Sequence, residues 1–349
     1  QLRNQSPIGY DYLIVAVGNR PTYYGNDHFQ QYAPHLKSID NALTIRDRIL
    51  ISFEMASREP DREKRRKYLT FVMVGGGPTG VEMAGAISEI GPKILKDEFS
   101  GISPEELRIF LLEGADRVLL AYDESLSDRA RRDLEDMGVK VVLNKMVDEI
   151  GEDYVKADDL ELDTVNIVWA AGNEGVPVLK TLETEQLKDG RIVVGKDLAL
   201  PDDPNVFVLG DAAAIEDMTG NYPKYLPGVA QVAIQCGKYA ARIIKNDTRR
   251  EFRQPFKYFD RGNMATIGRG KAILETGKLK LGGFLAWVGW SIIHVMYLIG
   301  FRNRVKVMVE WIWYYLSFQP GSRIIYWREE TKKTFENAGN QPQEAPAEA

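Results

Sequence analysis

Gly75-Gly76-Gly77-Pro78-Thr79-Gly80 sets three glycines at the spacing G-x-G-x-x-G, directly behind the apolar residues 69–74. Gly75 permits a tight turn, Gly77 lets backbone approach a pyrophosphate, and Gly80 allows a helix to pack closely on the strand. The free N–H groups that open such a helix, together with its dipole, suit phosphate. A second apolar run, Arg108-Ile109-Phe110-Leu111-Leu112-Glu113, ends in an acid. A carboxylate there accepts from the 2′- and 3′-hydroxyls of an adenine ribose and repels a 2′-phosphate, which predicts NAD over NADP. Glu113 follows Gly80 by 33 positions. The usual spacing is roughly 20, so residues 90–106 are expected to hold an insertion. Glu82 lies two residues beyond Gly80. On residue physics alone it is a first-turn acid, favoured by the helix dipole by about 0.3–1 kcal/mol.

These residues need a βαβ frame to hold them. The patterns predict strands at 69–74, 108–113, 139–143 and 164–170, and helices at 79–96 and 123–137. Ahead of them, residues 10–18 read as a buried strand ending in Gly18. Residues 40–56 read as a helix, with Ala42, Ile45, Ile49 and Phe53 at helical spacing. The charged residues 58–67 mark a boundary. Further on, residues 205–209 predict a strand closing at Gly210-Asp211, and residues 229–244 a helix. The Asp211 carboxylate suits the hydroxyls of a ribityl chain, and the helix beginning near Gly228 can aim its dipole at a flavin ring. Gln231 and Gln235 stand at i and i+4 of that helix, so by spacing alone they bond each other or the backbone.

A chain of 349 residues implies two domains and an appendage. Hydrophobic residues at 44% and charged residues at 27% are ordinary globular values. The net charge is −5, yet residues 269–333 hold 11 Lys and Arg against 4 Asp and Glu. Those charges flank apolar runs, which points to an anionic membrane surface and away from nucleic acid. Residues 284–301 form an 18-residue run whose only titratable side chains are His294 and Tyr297. That length is at the lower edge for a membrane-spanning helix. The following run, 305–318, is shorter and carries Glu310. Trp287, Trp290, Trp311 and Trp313 suit a membrane interface, with Arg302, Arg304 and Lys306 reaching headgroups. Monotopic attachment is the expectation. Residues 331–349 are rich in Pro, Gln, Glu and Ala and are expected to be disordered. The single cysteine, Cys236, excludes an intrachain disulfide and is expected to be a buried apolar residue. His28, His35 and His294 are scattered, and no metal site is expected.

The order of these features, a strand ending Ala-x-Gly, a complete dinucleotide unit, then a strand ending Gly-Asp, resembles the two-dinucleotide-binding flavoproteins. Within that superfamily the chain closely resembles type II NADH:quinone oxidoreductases. The resemblance rests on Ala16-Val17-Gly18, residues 75–82 (GGGPTGVE), Trp169-Ala170-Ala171-Gly172, Gly210-Asp211 and residues 226–235. The last of these matches the AQxAxQ quinone-site pattern at Ala230 to Gln235, with Cys236 where a second Gln is common. Residues 264–269 and 297–304 also look like that family.

The resemblance implies an α/β fold of two Rossmann-like domains, the NAD domain inserted in a FAD domain, with C-terminal amphipathic membrane-binding helices. It implies FAD-domain segments at 1–66 and 176–262, an NADH domain at 67–175 and a membrane-anchoring region at 263–330. Gly75, Gly77, Gly80, Glu82, Glu113, Ala171 and Gly172 would serve NADH. Ala16, Gly18, Gly210, Asp211 and Ala230 would serve FAD, and Ala230, Gln231 and Gln235 would meet quinone. Glu82 and Gln231 would be the catalytic positions. The family's first G-x-G-x-x-G, which holds the FAD pyrophosphate, is expected upstream of Gln1, so that this chain alone would hold FAD poorly. The implied reaction is hydride transfer from NADH to FAD and electron transfer to quinone, without proton pumping. The expected place is peripheral, on the cytoplasmic face of a bacterial inner membrane rather than an organellar one, with a homodimer left open. A flavin-free NAD(H)-binding module is the alternative. A sulfide:quinone oxidoreductase shares the fold but needs more than one cysteine.

Overall fold

The computed structural model describes residues 8–99 and 101–317. Among them the helices are, in chain order, α1 (Ile39–Arg58), α2 (Arg62–Arg65), α3 (Pro78–Glu98), α4 (Glu124–Asp136), α5 (Ala230–Lys245), α6 (Phe284–Tyr297) and α7 (Phe301–Ser317). The chain forms two compact units. The first takes the residues up to Thr22 and Asn173–Arg261; the second takes Tyr23–Gly172 and the residues from Gly262 on.

The second unit is built on a parallel four-stranded sheet in the order Val139–Val142, Arg108–Leu112, Thr70–Val74, Asn166–Trp169. Its strands are covered on both sides, which is why they read as unbroken apolar runs. Side chains alternate between the faces. Phe71, Met73, Ile109 and Leu111 enter a core shared with α1, α3 and α4, including Phe53, Ile87, Leu95 and Leu134. Val72, Val74, Phe110 and Leu112 enter a second core with Ile150, Val155 and Leu162. Those last residues belong to an antiparallel meander, Val147–Ile150, Tyr154–Ala157 and Leu160–Asp163, inserted before the fourth strand. Residues 23–66, grouped from the sequence with the first strand, pack here. Phe53 meets Phe71 at 5.7 Å between ring centroids, and the Ser52 hydroxyl donates to Asn166 at 2.7 Å.

The insertion expected at 90–106 consists of the last turns of α3 and a short loop. α3 runs on to Glu98, and a single 3-10 turn, Pro104–Glu106, leads into the second strand. A further antiparallel sheet, Asn263–Gly268, Lys271–Thr276 and Leu279–Gly282, packs on α3 through Ala265, Ile267 and Ile273. Its approach depends on Gly85, where a Cβ would stand 1.6 Å from the Ile267 carbonyl oxygen. The continuous apolar run expected at 284–301 is broken. α6 stops at Tyr297, Leu298 is extended, and Gly300 turns the chain at φ 81° before α7. Among the described residues no helix is long and apolar enough to cross a membrane. The tail at 331–349 lies outside the described residues.

The first unit pairs Leu13–Val15 in parallel with Val206–Val208, and Ile192–Val193 in parallel with Ala213–Ala214. Asn19–Pro21 runs antiparallel to Asn173–Gly175. The strand expected at 10–18 is shorter and only half buried, with Ile14 47% exposed. The core joins Phe207 and Val208 to Val232, Cys236 and Ala240 of α5 and to Phe256. Arg253, buried beneath it, holds Asp197 at 3.0 Å and donates to the Pro204 carbonyl at 2.7 Å.

Candidate nucleotide and electron-transfer sites

In the second unit the glycine turn sits at the C-terminal ends of the parallel strands, where ligands of such sheets are bound. Gly75 takes φ 112°, and a Cβ there would press on the Ala170 carbonyl carbon and oxygen at 2.8 Å. Gly77 caps α3 with Pro78 at the first helical position, and nothing lies within 4 Å of where its Cβ would be. That open side leaves a phosphate room beside the helix N–H groups. A Cβ at Gly80 would stand 1.9 Å from the Gly75 carbonyl oxygen, so a glycine is required for the turn to close on the helix.

Glu113 follows the second strand and reaches back over this turn. Its carboxylate accepts from the Gly76 N–H at 2.5 Å and from the Ala115 N–H at 2.8 Å. Two backbone donors fix one edge of the carboxylate before any ligand arrives. Ala171 and Gly172 leave the fourth strand beside Gly75, Gly172 with φ 73° and Ala170 donating to the Val74 carbonyl at 2.7 Å. Gly75, Gly77, Gly80, Glu113, Ala171 and Gly172 are thus gathered at one sheet end. Glu82 lies a turn farther along α3. Its carboxylate accepts from the Thr266 N–H at 3.3 Å, and burial pushes its pKa up while that bond pulls it down.

In the first unit Gly210 takes φ 65° and Asp211 lines a polar cavity of about 330 Å³ together with Asn19, Glu174, Arg191, Tyr225 and Gly228. Gly228 lets α5 come close: a Cβ there would be 3.3 Å from an Asp211 carboxylate oxygen. A carboxylate in a polar cavity beside a helix start fits a hydroxyl-bearing chain of a flavin nucleotide, with α5 supplying its N-terminal dipole. Gly18, at φ 71°, has open space around it, and Ala16 is exposed. Neither lines the cavity, whereas Asn19 does. Ala230 and Gln231 open α5, the first exposed and the second half-buried. Gln235 is used within the unit: its amide donates to the Phe259 carbonyl at 2.9 Å and accepts from the Phe259 N–H at 3.0 Å. Cys236 is fully buried, and burial pushes its thiol up to about 11. Among the described residues no cluster could hold a metal.

Sequence reasoning missed Arg191, Asn19 and Glu174. Arg191 stacks 5.8 Å over the Tyr225 ring and pairs with Asp189 at 2.8 Å. Nothing in an Asp-Gly-Arg turn distinguishes it from an ordinary surface turn.

Residues 1–237 match the pyridine nucleotide-disulphide oxidoreductase family. The type II NADH:quinone oxidoreductase Ndh of Mycobacterium tuberculosis is 40% identical over 328 residues, covering 90% of this chain and 69% of that protein. The chain belongs to the type II NADH:quinone oxidoreductase family. The mitochondrial internal alternative NAD(P)H-ubiquinone oxidoreductase A1 of Arabidopsis thaliana is 30% identical, covering 91% of this chain and 65% of that protein. This family member spans about two thirds of the length of these relatives. The fold is similar to that of NDH2 from Plasmodium falciparum in complex with NADH. The TM-score is 0.82 at 20% identity, covering 91% of this chain and 80% of that one.

Proposed function

We propose that this protein takes hydride from NADH onto FAD and passes the electrons to a quinone at a membrane surface, without pumping protons. The observation that carries the reading is the pre-oriented Glu113 carboxylate over the Gly75–Gly80 turn, in a chain of this family. FAD, when bound, supplies the redox chemistry; the protein supplies positioning and electrostatics.

The N–H groups at the start of α3 receive the NADH pyrophosphate, and the free oxygen lone pairs of Glu113 accept from the ribose hydroxyls. Ala171 and Gly172 border the same site. Glu82, whose carboxyl is raised by burial, stands near the nicotinamide and can hold a proton there. Gly210 and Asp211 hold the FAD ribityl chain, and Ala16 and Gly18 lie by its ADP part. Ala230 and Gln231 open the quinone side of α5, with Gln235 keeping the Phe259 backbone in place beneath them. The FAD segments are then the residues up to Thr22 and Asn173–Arg261, and the NADH unit is Tyr23–Gly172 together with the membrane-facing residues from Gly262 on, in place of the boundaries at 66, 175 and 262 expected from the sequence.

The membrane reading is supported by the bare apolar residues of α6, α7 and the turn between them, where Leu285, Ile299, Phe301 and Leu316 are each more than 70% exposed. Arg302 and Lys306 accompany them on α7, suited to anionic headgroups. A peripheral position, on the cytoplasmic face of a bacterial membrane, is consistent with an acceptor delivered from the bilayer.

The visible spectrum of the purified chain with added FAD tests the reading. With FAD in excess, to offset the weak holding expected of this chain, a flavin band that bleaches on NADH addition and recovers on addition of a quinone is expected. NADH binding without flavin would instead assign the chain as an NAD(H)-binding module.

A further inference from the structure

Within the second unit, α6 and α7 close over α3 and the strand Asn263–Gly268 to leave a cavity of about 700 Å³. Sites for small molecules run from roughly 300 to 1,000 Å³. Its walls are apolar, with Trp287, Trp290 and Trp311 as the aromatic part and Met296, Met308 and Ile312 as the flexible aliphatic part. Three features single it out.

The Ser291 hydroxyl lines this cavity, is shielded from solvent, and has no hydrogen-bond partner among the described residues. A shielded hydroxyl without a partner is the exception in folded proteins, and an acceptor atom of a ligand would satisfy it. Arg269 also lines the cavity and stacks 4.9 Å over the Tyr315 ring, which brings the one guanidinium of the described lining to a wall that is apolar apart from it, Ser291, Thr266 and the carboxylates of Glu82 and Glu89. Finally, Met296, Met308 and Ile312 line the cavity yet are 59%, 45% and 53% exposed. The same side chains therefore border both the cavity and the outer apolar face of α6 and α7. A chain lying on that face can enter without crossing a polar rim.

We propose that this cavity binds one acyl chain of an anionic glycerolipid, with a carbonyl oxygen accepting from Ser291 and the headgroup charge attracted by Arg269. A single shielded donor in an apolar wall suits a chain with one polar end better than a ring with carbonyls on opposite edges. Of the two acids that reach the cavity from α3, Glu82 already accepts from the Thr266 N–H and Glu89 from the Arg269 N–H. The proposal rests on the reading of α6 and α7 as a membrane-facing surface and places a lipid site in the unit that carries the NADH turn.

The test uses the whole chain and a short-chain phosphatidylglycerol, brominated in its acyl chains and kept below its critical micelle concentration. Binding is read as quenching of tryptophan fluorescence, with no bilayer present. Saturable quenching is expected. Ala86→Phe, which fills the lining from α3, should weaken it about tenfold, near 1.4 kcal/mol. Ser291→Leu should weaken it similarly, while NADH binding and co-sedimentation with phosphatidylglycerol vesicles persist in both variants. Quenching that does not saturate, or that both variants leave unchanged, overturns the proposal. So does displacement of the probe by a short-chain quinone at lower concentration than by unbrominated lipid, which would give the cavity to the quinone. Saturable probe binding by a chain that ignores vesicles would support the cavity and sink the membrane reading alone.

Discussion

One set of contacts within each unit shows opposite ways of holding a fold. The unit carrying Asp211 relies on a buried charge: Arg253 reaches Asp197, the Pro204 carbonyl and the Thr248 carbonyl and lies 5.1 Å over the Phe207 ring. In the unit carrying the glycine turn, which also buries Asp47 and Arg48, α3 meets its neighbours backbone to backbone, at Gly80 against Gly75 and at Gly85 against Ile267. A buried guanidinium joins loops distant in sequence but punishes loss of a partner, because the remaining charge has no water to turn to. Glycine contacts carry no charge and tolerate pH, but they leave no room for a single added methyl group. The first arrangement can be broken by removing atoms, the second by adding them.

Breaking the ion pair should have the largest effect. Arg253→Ala leaves the buried Asp197 with only the longer and more exposed pairing to Arg250, and a loss of about 3–5 kcal/mol is expected. Denaturant unfolding at neutral pH measures it, and a loss below 1 kcal/mol would show that Arg250, 3.5 Å from Asp197, takes over the pairing. The complementary change is Gly85→Ala, which drives a methyl group into the Ile267 carbonyl. Overpacking of this kind costs about 1–3 kcal/mol. Protease cleavage between α3 and the Asn263–Gly268 strand's unit partners should rise, while an unchanged melting temperature would mean that the sheet can shift away from α3 freely.

Glu113→Gln sharpens the comparison at the ligand. The amide keeps the shape but loses the charge that repels a 2′-phosphate and strengthens bonds to ribose. A charged hydrogen bond is worth about 1.5–3 kcal/mol, so the NADH over NADPH preference in fluorescence titration should fall by about tenfold or more. An unaltered ratio would leave Glu113 as a brace for the Gly76 and Ala115 N–H groups only.

The smallest effect concerns pH. Glu82 has its folded pKa raised by burial. The folded state therefore binds its proton more tightly than the unfolded state does. The associated stability is present below the unfolded carboxyl value of about 4.3 and is lost as pH rises through the raised folded value. Glu82→Gln, permanently neutral, should flatten the melting temperature over that window and be relatively more stable at its upper end. A variant with the same pH slope as the parent would place the titration elsewhere.

Much of the nucleotide site was legible because its signals are local. Gly75, Gly77 and Gly80 lie within six residues, and Glu113 ends a strand whose apolar run is plain. The extent of α3 was read to within two residues, 79–96 against Pro78–Glu98, whereas the long spacing to Glu113 could not say that its extra residues are shared between the last turns of that helix and a short loop. The meander at Val147–Asp163 went unseen because Asp148, Glu149, Lys156 and Glu161 interrupt its apolar residues. It becomes a sheet by burying Ile150, Val155 and Leu162 against a partner sheet, which no window of its own residues reveals. Gln235 shows the same limit in the site itself. Its spacing from Gln231 left a mutual bond or a backbone bond open, and the backbone of Phe259 is where its amide goes.

The sequence by itself determined the glycine turn, its carboxylate, the Gly210-Asp211 strand end and the family, because each is a matter of residue type at fixed spacing. Only the tertiary structure decided that residues 262–317 join the unit of the glycine turn, with Glu82 bonded to a residue 184 positions away. It also decided that α6 and α7 enclose a cavity rather than form one continuous apolar rod. Such outcomes depend on which surfaces exclude water together, and that is settled by contacts between segments remote in sequence, not by the pattern within any one of them.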